Sequence, residues 1–394
     1  MKIAIMTSGI LPIPSVQGGA VENLIDFYLE YNEQYHIHDI TVYSIWNEQV
    51  QNHIALRASN NHYHYIDVTS FGARVKRKIY KVFHKSEYYN HYIEYYFEEA
   101  YKHIKKHNYD CIILENRPGY ALKLSQRMHN KLVLHLHNDL LNSQTPHYQE
   151  IYNHISQILT VSNYIKNRVS SIVPHNKIQT IYNGIDLIQF SQKDKPAVCR
   201  GDLGLSVNDF IIVFSGRINK DKGISELIDA ILLLQDTPQI KLLVIGSTFF
   251  GNAPDEDDFV YSLKCKAQPI KKNIIFTGFI PYTQMPDYLQ LADIAIIPSI
   301  WNDPFPTTVL EAQAMGLPVI VTNRGGIPEE VTLNCAMILE VAPTLPENLA
   351  LSILELYRHP EKQKQMSKAA LEHSKQFCKE RYAREFFQIL ENTK

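Results

Sequence analysis

Asp303 and Glu311 stand eight positions apart in the segment 299–316, which reads Ser-Ile-Trp-Asn-Asp-Pro-Phe-Pro-Thr-Thr-Val-Leu-Glu-Ala-Gln-Ala-Met-Gly. Pro304 and Pro306 hold the chain extended and forbid helix before them. A helix opening near Thr307 leaves its first amide N–H groups without intrahelical partners, so Pro306, Thr307, Thr308 and Val309 frame a place for a phosphate or a sugar hydroxyl. Glu311 then lies one turn in, on the face of Thr307. One carboxylate before the helix and one inside it suit two hydroxyl-bearing parts of a single ligand. The plainer alternative is a helix-start aspartate and a solvated glutamate.

A second set of charges follows an apolar run. Phe210 to Arg217 (Phe-Ile-Ile-Val-Phe-Ser-Gly-Arg) reads as a buried parallel strand closing on Gly216 and Arg217, with Lys222 and Gly223 shortly after. The C-terminal ends of such strands are where open α/β sheets bind ligands. A planar guanidinium and a point-charge ammonium there suit a diphosphate; a solvated basic loop is the alternative, and fits Lys220 better than Arg217. Asn273 to Ile280 is another strand ending in glycine, followed by Phe279 and Ile280. Near the start, the apolar run Lys2 to Gly9 leads through a proline loop into Gly18 and Gly19, which permit close backbone approach to a phosphate at the start of a helix. Lys131 to Asp139 (Lys-Leu-Val-Leu-His-Leu-His-Asn-Asp) places His135, His137 and Asp139 on one face of a strand. A His-x-His pair invites a metal, but no second cluster completes a site, and fifteen of the seventeen histidines precede residue 176. No metal is expected.

In this order the motifs resemble those of retaining glycosyltransferases of family 4, which have the GT-B fold. The carriers are Gly-Arg…Lys-Gly, Thr-Gly-Phe, Asp-x7-Glu-Ala and Gly-Leu-Pro-Val-Ile, and the resemblance is strongest over residues 210–330. Asp303 stands where the family's Glu-x7-Glu element has its first glutamate, a shorter side chain by one methylene. The resemblance implies an α/β architecture of two Rossmann-like, doubly wound domains facing a central cleft, with a last helix, Arg381 to Asn392, crossing back to the first. It implies that Glu311 holds the ribose, Asp303 the donor sugar, and Arg217, Lys222 and the amides of Thr307 and Thr308 the diphosphate. The backbone at Phe279 and Ile280 meets the base, Gly18 and Gly19 face the diphosphate and sugar, and His137 touches the donor sugar. The donor is expected to be a nucleoside diphosphate sugar, UDP-linked by preference, with no further cofactor. The acceptor class is a glycan, a lipid-linked glycan or a protein. Glu115, Asn116 and Arg117 in the string Glu-Asn-Arg-Pro, with Gly-Ser-x-x-Phe-Gly at 246–251, are similar to spore-coat-type members.

The elements that must position these groups need room, and 394 residues with alternating apolar runs and helical patterns supply two domains. The expected division is 1–190, 191–378 and a crossover helix at 379–394, with a polar linker near Ser191 to Asp209. A net charge of −2 argues against general nucleic-acid binding. Five scattered cysteines show neither disulfide nor zinc spacing, which suits a reducing compartment. The expected location is the cytoplasm, with contact at the inner face of a membrane carried by one segment. There Arg74, Lys76, Arg77, Lys78, Lys81 and Lys85 accompany Val75, Ile79, Val82 and Phe83 at helical spacing. A surface helix packed on the sheet is the alternative. Two other functions share the fold, a nucleotide-sugar epimerase or a phosphorylase, and a catalytically weak coat or glycan-binding protein is a third; fold alone does not decide among them.

Overall fold

The computed structural model describes all residues except 52, 54, 55, 57–59, 86, 87, 249–257, 393 and 394. Residues 249–251 of the string at 246–251 therefore lie outside the described part. Two compact units emerge, one made of Met1–Asn183 with Glu380–Lys394 and the other of Gly184–Lys379.

Seven short strands form the first sheet: β1 (Lys2–Met6), β2 (Asp39–Ile45), β3 (Asn61–Ile66), β4 (Cys111–Glu115), β5 (Lys131–Leu136), β6 (Gln157–Thr160) and β7 (Ile178–Thr180). They lie in the order β3-β2-β1-β4-β5-β6-β7, every pair parallel. Strands buried on both faces read as continuous apolar runs, and every residue of β4 is buried. The second sheet holds β8 (Phe210–Ser215), β9 (Ile240–Ile245), β10 (Ile274–Gly278), β11 (Ile294–Ile297), β12 (Val319–Thr322) and β13 (Ala336–Leu339). Its order is β10-β9-β8-β11-β12-β13, again parallel. Each sheet therefore reverses its winding once, between β1 and β4 and between β8 and β11. In open α/β sheets ligands bind outside the carboxyl ends of strands at such reversals.

The strands are shorter than their apolar runs. The run from Ile294 leaves the ladder at Ile297, because Pro298 has no N–H to give. The polar stretch after Ser191 is not a free linker. Lys193 Nζ lies 2.9 Å from both carboxylate oxygens of Asp287, and Arg200 reaches Asp293 at 3.0 Å. These ties hold it to the second unit. The second unit begins at Gly184 rather than at 191: Gln189 Nε2 donates to the Tyr282 carbonyl at 3.3 Å and the Phe190 ring lies 5.3 Å from that of Tyr282, so residues before Ser191 also belong to it. The last helix runs Lys379–Asn392 and packs into the first unit. Tyr382, Ala383, Phe386, Phe387 and Leu390 join the core of Ile3, Ile5, Leu24 and Tyr28. Phe386 stacks on Tyr28 with ring centroids 4.2 Å apart.

Candidate active site

The loops after β8 and β11 meet at the reversal point of the second sheet. Asp221 carbonyl accepts the N–H of Ile300 at 2.9 Å and of Trp301 at 3.3 Å, and the Ser299 hydroxyl at 3.2 Å. Gly223 has φ +69, and a Cβ there would fall 1.9 Å from the carbonyl oxygen of Pro298, so only glycine lets the two loops close. Arg217, exposed, follows Gly216 at the end of β8, and Lys222, half-buried, comes to lie beside the segment that carries Asp303.

The helix after this segment spans Thr307–Ala314, as the prolines predict. Pro306 precedes it in an extended conformation and no side chain caps it. Its start sits against the end of β8, since a Cβ on Gly216 would lie 3.9 Å from Thr308 Cγ2. The Thr307 hydroxyl donates to Glu311 Oε1 at 3.0 Å, which places both on one face. Burial pushes the Glu311 carboxyl up to about 7, against the Thr307 hydrogen bond that lowers it. Val309 is buried beneath the same turn. Phe279 and Ile280 follow β10, two strands from β8 at the sheet edge, and are half-buried.

Two features of this site were not legible in the sequence. Lys222 forms an ion pair with Asp303 across 81 positions. Behind them lies Glu330, fully buried, with neither carboxyl oxygen hydrogen-bonded among the described residues. Its pKa is raised well above the carboxylate range, by burial first and then by the charge of Asp303. Its backbone carbonyl accepts from Gln313 Nε2 at 2.8 Å, which ties it to the helix that carries Glu311. A lone glutamate after Gly-Gly-Ile-Pro-Glu carries no periodic or spacing signal of burial.

In the first unit, Gly19 opens the helix Ala20–Tyr35 with φ +106, and a Cβ there would fall 2.2 Å from Glu22 Oε2. Gly18 has φ +76. Burial raises the Glu22 carboxyl to about 7. At the ends of β4 and β5 the histidine cluster differs from expectation. Asp139 turns to Arg168, 2.9 Å away, and its place is taken by Glu115. His137 Nε2 lies 2.8 Å and His135 Nδ1 3.2 Å from Glu115 Oε2, while the Tyr28 hydroxyl donates to Oε1 at 2.9 Å. Burial works to raise the Glu115 carboxyl, but the adjoining His135 and His137 outweigh it and hold the group below the usual range. Burial and then His135 lower His137 to about 4. Asn116, at φ +61, accepts the His137 N–H at 3.2 Å. Arg117 is buried, with Nε donating to the Ser8 carbonyl at 3.0 Å. Among the described residues, Glu115, His135 and His137 form the one group close enough to share a metal ion.

Known families match both units. The model for glycosyl transferases group 1 matches residues 199–373, and that for glycosyltransferase family 4 matches residues 38–189. The chain belongs to the family 4, group 1 glycosyltransferases. It is similar along most of its length to two proteins of Bacillus subtilis (strain 168). YtcC is 28% identical over 386 residues, 95% of this chain and 87% of that one. Spore coat protein SA is 28% identical over 346 residues, 84% and 83% of the two chains. Among solved structures, Anabaena Alr3699/HepE in complex with UDP and glucose superposes with a TM-score of 0.75 at 20% identity over 99% of both chains. At that identity the likeness establishes the GT-B fold.

Proposed function

We propose that this glycosyltransferase moves a hexosyl unit from a UDP-linked sugar to an acceptor hydroxyl, with retention of configuration and without a metal, in the synthesis of a cell-surface polysaccharide or glycoconjugate. The observation that carries this reading is the convergence of Arg217, Lys222, Asp303, Glu311 and an uncapped helix start at one sheet reversal. It is supported by the solved Anabaena HepE complexes with UDP and with UDP-glucose. In this reading the diphosphate takes Arg217, Lys222 and the amides of Thr307 and Thr308. Glu311 accepts the ribose hydroxyls, the backbone at Phe279 and Ile280 meets the base, and Asp303 the donor sugar. Gly18, Gly19 and His137 are further candidates for contact with the donor.

The chemistry asked of the protein is mainly electrostatic. As the sugar C1–O bond to the diphosphate breaks, negative charge collects on the leaving oxygen. The acceptor oxygen bonds to C1 on the same face, and its proton passes to that leaving oxygen. Fixed cations and amide dipoles aimed at the leaving group stabilise this charge without reorganisation. Lys222 exchanges Asp303 for phosphate as the donor seats, which frees the Asp303 carboxylate to accept a sugar hydroxyl.

Assay against a panel of nucleoside diphosphate sugars tests the whole. Transfer from a UDP-sugar is expected, and EDTA is expected to leave the rate within about twofold, far from a factor-of-ten step in barrier. Formation of a new sugar isomer from donor alone would instead identify an epimerase, and loss on chelation with rescue by manganese would refute the metal-free route.

The acceptor reading rests on a different surface. The helix Phe71–Phe83 leaves Phe71, Val75, Ile79, Val82 and Phe83 exposed, with only Ala73 buried. Arg74, Lys76, Lys78, Lys81 and Lys85 are exposed alongside, whereas Arg77 is drawn aside over the Tyr92 ring. An apolar stripe flanked by cations suits an anionic bilayer surface, at about 1 kcal/mol per basic residue. Among the described residues no helix is long and apolar enough to cross a membrane. In this reading the helix Phe71–Phe83 attaches at the cytoplasmic face, toward a lipid-linked glycan. A relative from Escherichia coli, 30% identical over 38% of this chain, is named for a diphosphoundecaprenol acceptor. Liposome flotation should show binding to anionic but not neutral vesicles, fading with salt and abolished by changing Arg74, Lys78 and Lys81 to Glu. Indifference of the wild type to anionic vesicles at low salt would redirect the search to soluble glycan or protein acceptors.

A further inference from the structure

The buried group at the ends of β4 and β5 does more than fill space. Glu115 closes β4 and pairs in register with His135 of β5, two residues before His137. Its carboxylate is fully buried and meets three polar hydrogens, from Tyr28 Oη, His135 Nδ1 and His137 Nε2. A carboxylate has no hydrogen to give. Each imidazole nitrogen that touches it must therefore be the protonated one, so the neutral His137 is the Nε2–H tautomer. Its other nitrogen, Nδ1, is left as a bare lone pair, buried and without a partner among the described residues. The backbone is pinned as well, through the bond from His137 N–H to Asn116 Oδ1. With the ring held at one nitrogen and the backbone held by Asn116, the direction of the free lone pair is fixed. His135, which meets the carboxylate through Nδ1, is instead the Nδ1–H tautomer; its side chain is wholly enclosed and lies against Phe386, whereas that of His137 retains 5% exposure.

We infer that Glu115 is a positioning residue that sets His137 as a hydrogen-bond acceptor, through Nδ1, for a hydroxyl of the bound sugar. The inference rests on the reading of the protein as a sugar-nucleotide-dependent transferase with His137 against the donor sugar. It adds the direction of the hydrogen bond and the residue that sets it. A bare lone pair repels phosphate oxygens and attracts O–H, so His137 serves the sugar and not the diphosphate. Neutral imidazole with one nitrogen tied to a carboxylate is also better able to accept at the other, because the carboxylate draws the N–H hydrogen toward itself.

The test uses the full chain labelled with ¹⁵N in histidine, with His137 assigned through His137→Gln. Long-range proton–nitrogen correlation is expected to show His137 as the Nε2–H tautomer, with Nδ1 unprotonated. Adding UDP-glucose or another accepted UDP-sugar should move the Nδ1 resonance, and UDP alone should not. In Glu115→Gln the side-chain amide donates to Nε2 and the Nδ1–H tautomer should grow in. The value of kcat/KM for the sugar nucleotide should fall at least tenfold, with UDP affinity unchanged. Glu115→Asp, which keeps a carboxylate, should retain the wild-type tautomer. An Nδ1–H tautomer in the wild type, or an unaltered tautomer in a folded Glu115→Gln variant, overturns the proposal. So does a change of both histidine spectra on adding EDTA, which would mark a metal on the same three side chains. A protein that transfers sugar while no UDP-sugar moves Nδ1 overturns the acceptor role. Failure to transfer from any donor refutes the parent reading instead, and the tautomer comparison then decides the role of Glu115 alone.

Discussion

Replacing Arg217 or Lys222 by Ala is expected to lower sugar transfer by at least about 10²-fold, the usual cost of removing one preorganised group that stabilises a developing oxyanion. The two residues differ in what else they lose. Arg217 is exposed at the end of β8, so its removal should leave the melting temperature nearly unchanged. Lys222 is the ion-pair partner of Asp303, which is 5% exposed and stands close to the buried Glu330. Taking away one partner of such a pair leaves an uncompensated charge. Lys222→Ala should therefore lose stability as well as rate. Lys222→Gln, which keeps the length and a hydrogen-bond donor, should recover part of the stability but little of the rate. Steady-state kinetics with a UDP-sugar, beside thermal melts, measures both. A well-folded Arg217→Ala, Lys222→Ala double variant with near-normal turnover would remove these residues from the reaction.

Glu311 and Asp303 should separate by ligand. Glu311→Ala is expected to weaken binding of UDP by about 1.5–3 kcal/mol, the range for hydrogen bonds to a charged group. Asp303→Ala should spare UDP and lose the extra affinity brought by the sugar. Calorimetry with UDP and with the UDP-sugar reads the split, and equal losses for both ligands in both variants would contradict it. A pH signature accompanies the first change. The Glu311 carboxyl is pushed up to about 7 by burial, and only its ionised form can accept both ribose hydroxyls. Below that value a proton must leave before UDP binds. Affinity should then fall as pH drops from about 7 to 5, by up to about tenfold per pH unit. Glu311→Gln should bind more weakly at neutral pH but lack this part of the slope, leaving only that of the diphosphate itself. A slope identical in the two proteins would show that Glu311 does not accept from the nucleotide.

The local features were legible because local chemistry sets them. Runs such as Cys-Ile-Ile-Leu-Glu and Phe-Ile-Ile-Val-Phe-Ser lie in parallel sheets covered on both faces, and a continuous apolar run says so without any partner in view. Pro304 and Pro306 fixed the start of the helix at Thr307, since proline constrains the residues beside it. The i,i+4 spacing placed Thr307 and Glu311 on one face. Gly19, Gly216 and Gly223 were needed where the backbone takes positive φ. The order of these motifs along the chain is by itself characteristic of the family.

What the sequence left open depends on which strand ends become neighbours. Lys222 follows β8 and Asp303 follows β11, and they meet because the sheet reverses there, placing β11 beside β8 while β9 and β10 lie on the other side. Glu115 and His137 meet because β4 and β5 are adjacent and in register, whereas the same-face pattern of one strand pointed to Asp139, which turns to Arg168 instead. The division at Asn183 reflects contacts of Gln189 and Phe190 with Tyr282, nearly a hundred positions away in the second unit. Helical spacing gave the apolar stripe of Phe71–Phe83, but that its face stays exposed is a matter of what the rest of the fold covers. Periodicity and turn chemistry are properties of a few neighbouring residues, and one chain displays them. The partner of a buried charge is chosen by strand order and desolvation, which exist only once the sheets have formed.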